Sequence, residues 1–296
     1  MAERLQLENA DAVVEVLPRL GGAIGAFDLK TGPDRLPIFR PWTGAWENPR
    51  AYASSPMVPW FNRINGGGFS FRGKFHPIAP NDPLEPFPIH GDGWLSPWDV
   101  LEYGPDSITL RLRSTAIPPF DYEAIQVISL AGSTLDVLLS VKHLGPEAIP
   151  YGLGQHPWFV RTPETTLEAP AAGVWPEQPP DFPESPVPEP IPEHWDFRRA
   201  KPLPTGFIDN GFAGWDGRAR IAWPDRRAAV EIGADPGVNF YHVYSLGADC
   251  PFFCFEPVTN ENNALGKPGT PEENGLRVLE PGEETSMRVS FTAGGL

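Results

Sequence analysis

Ile108-Thr-Leu-Arg-Leu-Arg113 alternates apolar and polar side chains over six residues. A period of two is that of a half-buried β-strand, where successive side chains point to opposite faces. Working outward, Tyr122-Glu-Ala-Ile-Gln-Val-Ile128 and Thr134-Leu-Asp-Val-Leu-Leu-Ser-Val141 flank Ala131-Gly-Ser133. That is the pattern of a hairpin with a Gly-containing loop. Toward the N-terminus, Ala12–Leu17 and Ala23–Leu29 read as strands joined through Pro18 and Gly21-Gly22. Phe69-Ser-Phe-Arg72 reads as a hairpin arm with Asn65-Gly-Gly-Gly68 as its turn. Toward the C-terminus, Arg220–Trp223, Ala228–Ile232, Phe240–Tyr244 and Met287–Thr292 read as strands. Residues 31–60 lack a period and read as a long ordered loop. No long amphipathic helix and no repeat of fixed period is present. The expected fold class is all-β, with residues 1–296 forming a single large domain.

Composition agrees. The chain has 30 Gly and 38 Pro among 296 residues, so turns punctuate it densely. It also has 18 Phe and 10 Trp, enough to build a large core. The formal net charge of −15 opposes binding to nucleic acid or to an anionic membrane surface. No stretch approaches the length of an apolar membrane span. The first residues, Met-Ala-Glu-Arg-Leu-Gln-Leu-Glu, carry charges where a signal peptide needs an apolar run. Cys250 and Cys254 are the only cysteines and make no disulfide framework. Reduced thiols, a cytoplasmic location and a monomer or weak homodimer are expected. Eight prolines lie between Pro176 and Pro192, which excludes sheet interior there and suggests an extended surface excursion or a flap beside a site.

Of the six histidines, His143, His194, His242 and His76 read as structural or solvated. His90 and His156 stand apart. His90 precedes Gly-Asp-Gly-Trp94, a sequence that leaves regular structure and lets a ring project into a cleft. His156 sits in Gly154-Gln-His-Pro-Trp-Phe159, where Pro157 removes a ladder donor and marks a strand end beside Trp158. Glu256 ends the apolar run Phe252-Phe-Cys-Phe255, so desolvation is expected to raise its pKa toward a general base's range. Arg63, after Asn62, offers a fork of donors to a polar ligand. Gly66-Gly-Gly68 is no phosphate loop, the cysteines lack zinc-site spacing, and no GxSxG elbow occurs. No metal and no cofactor is expected.

Taken together, Asn62-Arg-Ile64, Phe69-Ser-Phe-Arg-Gly73, Asn81 and Ile89-His-Gly91 resemble the N-terminal signature of the aldose 1-epimerase (galactose mutarotase) family. Gly154-Gln-His-Pro-Trp-Phe159 is similar to its second histidine motif, with Trp158 where Tyr is more usual. Phe207-Ile-Asp-Asn-Gly-Phe212 resembles its aspartate segment, and Phe255-Glu-Pro257 its late glutamate motif. Leu279-Glu-Pro-Gly-Glu283 before a last strand also fits. The resemblance runs from about residue 10 to residue 292.

The resemblance implies a large antiparallel β-supersandwich and interconversion of the α and β anomers of a free hexose. It implies Glu256 as general base on the anomeric hydroxyl and His156 as general acid on the ring oxygen. It implies His90 as a hydrogen-bonding partner near that oxygen, with Arg63, Asp209 and Asn62 on sugar hydroxyls. Trp94 and Trp158 are placed to stack on a pyranose. Other readings are a non-catalytic sugar-binding protein, a hexose-6-phosphate epimerase with Arg72 and Lys74 as phosphate candidates, and a glycoside hydrolase pairing Glu256 with Asp92 or Asp209. A binder would not need both histidines turned to one cleft. A hydrolase would need a second carboxyl facing Glu256.

Overall fold

Alternation of buried and half-buried side chains runs through the strands Ser107–Ser114, Tyr122–Ala131 and Thr134–His143, as the sequence pattern predicts. In the computed structural model, which describes residues 3–44, 49–176 and 187–296, these three strands pair antiparallel. They continue into a nine-stranded sheet with Glu284–Gly295, Ala228–Ala234, Arg218–Trp223 and shorter edge strands. A second sheet of seven strands contains Gly173–Trp175, Ile208–Ala213, Phe240–Ser245, Phe252–Val258, Trp158–Val160, Gly154–Gln155 and Pro56–Met57. Leu5–Glu8, Ala12–Leu17, Ala23–Thr31 and Asp34–Pro37 form a third, four-stranded sheet. This is the expected all-β supersandwich. Among the described residues no helix is long and apolar enough to cross a membrane.

One buried cluster draws residues from all three large sheets, including Val14, Phe27, Leu139, Val243, Phe255 and Phe291. Phe39 lies at its centre. Its ring meets Phe27, Phe159 and Phe291 edge-on at 5.4, 5.0 and 5.2 Å, the T-shaped geometry that aromatic quadrupoles favour. Along Phe252–Val258 the odd residues Phe253 and Phe255 face this core, so Cys254 and Glu256 face the other way. The same parity turns Tyr241 and Val243 inward and His242 and Tyr244 outward.

Two local expectations need correction. Asn65–Gly67 is a turn of 3-10 helix, and the hairpin Gly68–Phe71/Lys74–Pro77 closes through Arg72 and Gly73. Both closing residues have positive φ, 47° and 77°, as a two-residue hairpin turn of the I′ kind requires. Residues 31–60 are not one loop, because Asp34–Pro37 pairs with Ala23–Thr31 and Pro56–Met57 pairs with Gly154–Gln155. Glu256, which ends the apolar run, lies inside its strand, because Pro257 still pairs with Tyr241. Residues 177–186 of the proline-rich segment lie outside the described residues. At its far end, Glu189 bridges to Val174.

Candidate active site

Antiparallel pairing dictates which side chains meet on the outward face of the seven-stranded sheet. Gly154 pairs with Val258 and Trp158 with Cys254, so the intervening His156 lies opposite Glu256. On the other side of the same strand, His242 pairs with Glu256. His156, Glu256 and His242 thus form one rung across adjacent strands. Pro157 interrupts the ladder locally, and the His156 N–H instead donates to Ser55 O at 3.0 Å. The result sets His156 Nε2 3.5 Å from Glu256 Oε1. One strand further, Asp209 sits diagonally from His242 and accepts a hydrogen bond from its Nε2.

His90 enters from a loop. Its backbone has φ 57° and Gly91 follows at φ 66°. Asn81 clamps this bend, donating to the carbonyls of Ile89 and Gly91 at 2.8 and 2.6 Å and accepting from Ile89 N–H at 2.8 Å. The Asn62 N–H donates to His90 Nδ1 at 3.1 Å. Nδ1 is therefore an acceptor, and the neutral ring carries its proton on Nε2. Asn62, expected to bind substrate, thus fixes the His90 tautomer while also lining the cleft. The His90 and His156 rings meet edge-on at 5.3 Å.

Arg63 does reach the cleft, held by Glu85: Nε donates to Oε2 at 2.8 Å and Nη2 to Oε1 at 3.3 Å. Its Nη1 lies 3.8 Å from Asp209 Oδ2. Arg50 converges on Glu85 at 3.0 Å and on Asp82 at 2.8 Å. Trp158 lies parallel to His156, with ring centroids 5.8 Å apart, and Arg40 stands 4.1 Å over its ring. Trp158 thus buttresses His156 as well as walling the cleft. The cleft encloses about 260 Å³.

Burial dominates the electrostatics. Glu256 is 2% exposed, and desolvation pushes its pKa up to about 8. Desolvation, helped by the Arg40 charge, pulls His156 down to about 3. His90 is also pulled well below the ordinary imidazole value, first by burial and then by His156. His156, Cys254 and Glu256 bring donor atoms within 4.8 Å of one another. They fit a divalent cation poorly, because burial holds the Cys254 thiol protonated and the Arg40 guanidinium stands nearby.

The aldose 1-epimerase family model matches residues 3–292. The chain belongs to the aldose 1-epimerase family. The uncharacterized protein YphB of Escherichia coli (strain K12) is 33% identical over 278 residues, covering 92% of each chain. A crystal structure of an Escherichia coli K12 protein provisionally described as an aldose 1-epimerase superposes with a TM-score of 0.89 at 29% identity, covering all of both chains. A galactose mutarotase-like protein from Clostridium acetobutylicum gives a TM-score of 0.86 at 16% identity, covering 100% of this chain and 96% of that one. The last of these likenesses, at 16% identity, speaks to fold alone.

Within this family member the structure gathers Glu256, His156, His90, Arg63, Asp209, Asn62 and Trp158 around one cleft. It also corrects the sequence reading. His242 is a cleft residue, not a bystander, and the sequence carries no signal for it, because tyrosines stand on both faces of its strand. Glu85, Arg50 and Asp82 are missed because loop residues have no periodicity to place them. Asp92 is excluded from the cleft chemistry: its carboxylate accepts from Ser114 Oγ and, at 2.6 Å, from Tyr122 OH. Arg72 pairs with Glu280 and Lys74 with Glu147, both away from the cleft.

Proposed function

We propose that the protein is a cofactor-independent aldose 1-epimerase acting on a free hexose, with Glu256 and His156 as its proton-transfer pair. The observation that carries this reading is the 3.5 Å approach of His156 to Glu256 inside the cleft, with His90 against His156. Ring opening removes a proton from the anomeric oxygen and adds one to the ring oxygen. Glu256 as carboxylate takes the first, and His156 as imidazolium supplies the second. Rotation about C1–C2 then lets either face of the aldehyde be attacked. Reclosure returns the proton from Glu256 to O1 and from the ring hydroxyl to His156, so atoms and charge balance. Neutral His90 donates from Nε2 toward the ring oxygen, while Arg63 and Asp209 hold hydroxyls.

Four features favour this over the other readings. Both histidines face the cleft that holds Glu256, which a simple binder does not need. The group opposite Glu256 on the ladder is an imidazole and not a second carboxyl, against hydrolysis. Arg50 and Arg63 are tied to Glu85, Asp82 and Asp209, so their charge is largely balanced and an unphosphorylated sugar is favoured. The volume sits below the roughly 300–1,000 Å³ of drug-sized sites and suits a monosaccharide.

The pH dependence follows from the pair. Between about 3 and about 8 the pair holds one proton. Below that window both groups are protonated and no base remains; above it both are deprotonated and no acid remains. Exchange measured by NMR saturation transfer is expected to be flat near neutrality and to fall about tenfold per pH unit above the upper limit. A rate still rising between pH 8 and 10 would refute the shared-proton scheme.

Glu85→Gln tests the binding wall. Arg63 and Arg50 lose their common anchor, so KM is expected to rise about tenfold, with kcat changed far less, as expected when uniform binding is removed. An equal fall in kcat with KM unchanged would place Glu85 in the chemistry instead.

A further inference from the structure

His242 takes part in no step above, yet it occupies the centre of the cleft floor. Its Nε2 donates to Asp209 Oδ1, and its Nδ1 lies 3.2 Å from Asn262 Oδ1. Both partners present acceptor oxygens. An imidazole that donates from both nitrogens is an imidazolium, and no nitrogen is left for a sugar. Its side chain is only 3% exposed. It faces Glu256 directly across the ladder, where opposed Cβ atoms lie about 4.5–5.5 Å apart.

We infer that His242 is a positioning residue, a fixed buried cation behind Glu256 that favours its carboxylate form and so drives the pair's proton toward His156. The inference rests on the acid/base reading above and deepens it. Desolvation favours the proton on Glu256, which is the arrangement of the open-chain stage. The cyclic sugar needs the opposite arrangement. The His242 charge also disfavours protonation of His156, but it pairs directly with Glu256 and stands one strand further from His156, so its net action favours the Glu256 carboxylate.

The surrounding charges support the assignment. Burial works against the charge on His242, but the Asp209 hydrogen bond and the charges of Asp209 and Glu256 outweigh it and raise its pKa. Around Glu256 stand His156 from the break between Gly154–Gln155 and Trp158–Val160, Asp209 from beyond His242, and Cys254 from its own strand. Arg63, Arg50, Glu85, His90, Tyr52 and Tyr244 line the walls, and Arg40 stands behind Trp158. Asp209 opposes ionisation of Glu256, and the attraction of His242 exceeds that repulsion.

The test is His242→Gln, which keeps a donor for Asp209 and removes the charge. Loss of a neighbouring opposite charge is expected to move the alkaline limb of the pH profile up by about one pH unit or more, with kcat at neutral pH down at least about tenfold. KM is expected to change less than about threefold, because both ring nitrogens are occupied by Asp209 and Asn262 and neither is free to bind sugar. A uniform loss with the limb unmoved, or a KM effect alone, would overturn the inference. If the variant does not fold, the ¹⁵N spectrum of the wild-type ring decides: two protonated nitrogens at pH 7–8 support it, and a neutral tautomer overturns it. If the wild type exchanges no aldose, the acid/base reading fails by itself. The ¹³C titration of the Glu256 carboxyl still decides the charge effect, with a higher midpoint in His242→Gln expected and an unchanged midpoint against it.

Discussion

Glu256→Gln is expected to lower anomer exchange by about 10²–10⁴-fold, the usual contribution of one positioned acid or base. The amide keeps the shape of the side chain, so the packing of Phe253 and Phe255 beneath it is undisturbed. His156→Ala removes the other half of the pair and is expected to cost a similar factor. The double variant is expected to be scarcely slower than either single one, because a pair that passes one proton fails as a unit. Saturation transfer on a panel of aldoses and their 6-phosphates measures all three against wild type. Retention of more than about a tenth of the wild-type rate by Glu256→Gln would exclude it as an acid or base of the reaction.

Gly91→Ala is expected to be the most damaging small substitution near the site. Gly91 has φ 66°, and an added Cβ would stand 2.2 Å from the Val58 carbonyl oxygen and 2.4 Å from Pro59 Cδ. Strain of about 1–2 kcal/mol from the left-handed backbone adds to about 1–3 kcal/mol of overpacking. The bend that aims His90 then opens, and Asn81 loses its grip on the Ile89 and Gly91 carbonyls. A fall in unfolding free energy of about 2–4 kcal/mol is expected in denaturant titrations, with kcat falling alongside. A variant with wild-type midpoint and wild-type kcat would show that the loop accommodates the methyl group and that His90 needs no such clamp.

The strands were legible where one face is buried and the other is not. Ile108–Arg113 and Thr134–Val141 announce their period because each pairs on both sides within one sheet. The pairing of His156 with Glu256 was not legible in this way. They are separated by a hundred residues, and only strand register brings them together. The family resemblance supplied what periodicity did not. His242 escaped because a histidine in an alternating strand looks alike on either face, and only the burial of Tyr241 and Val243 says which face it takes. The Arg72-Gly73 turn lost to the more conspicuous Gly66-Gly-Gly68, because an arginine at positive φ has no sequence signal of its own. Glu85 is reached through a loop whose course depends on Asp82 and Arg50 rather than on any repeat.

The rung His156–Glu256–His242 also determines where this chain tolerates changes of length. Deleting or inserting one residue in Phe252–Val258 would rotate every following side chain to the opposite face. Glu256 would then point into the aromatic core, and Phe255 or Pro257 would replace it on the cleft floor. Indels in Phe240–Ser245, in Phe252–Val258 or between Gly154 and Trp158 are therefore expected to be lethal to the site. The connections between them escape this parity rule: residues 246–251, between His242 and Glu256, lie between strands. Lineages that reshape the cleft are expected to do so by lengthening such connections, while the residue count inside these stretches of the rung stays constant.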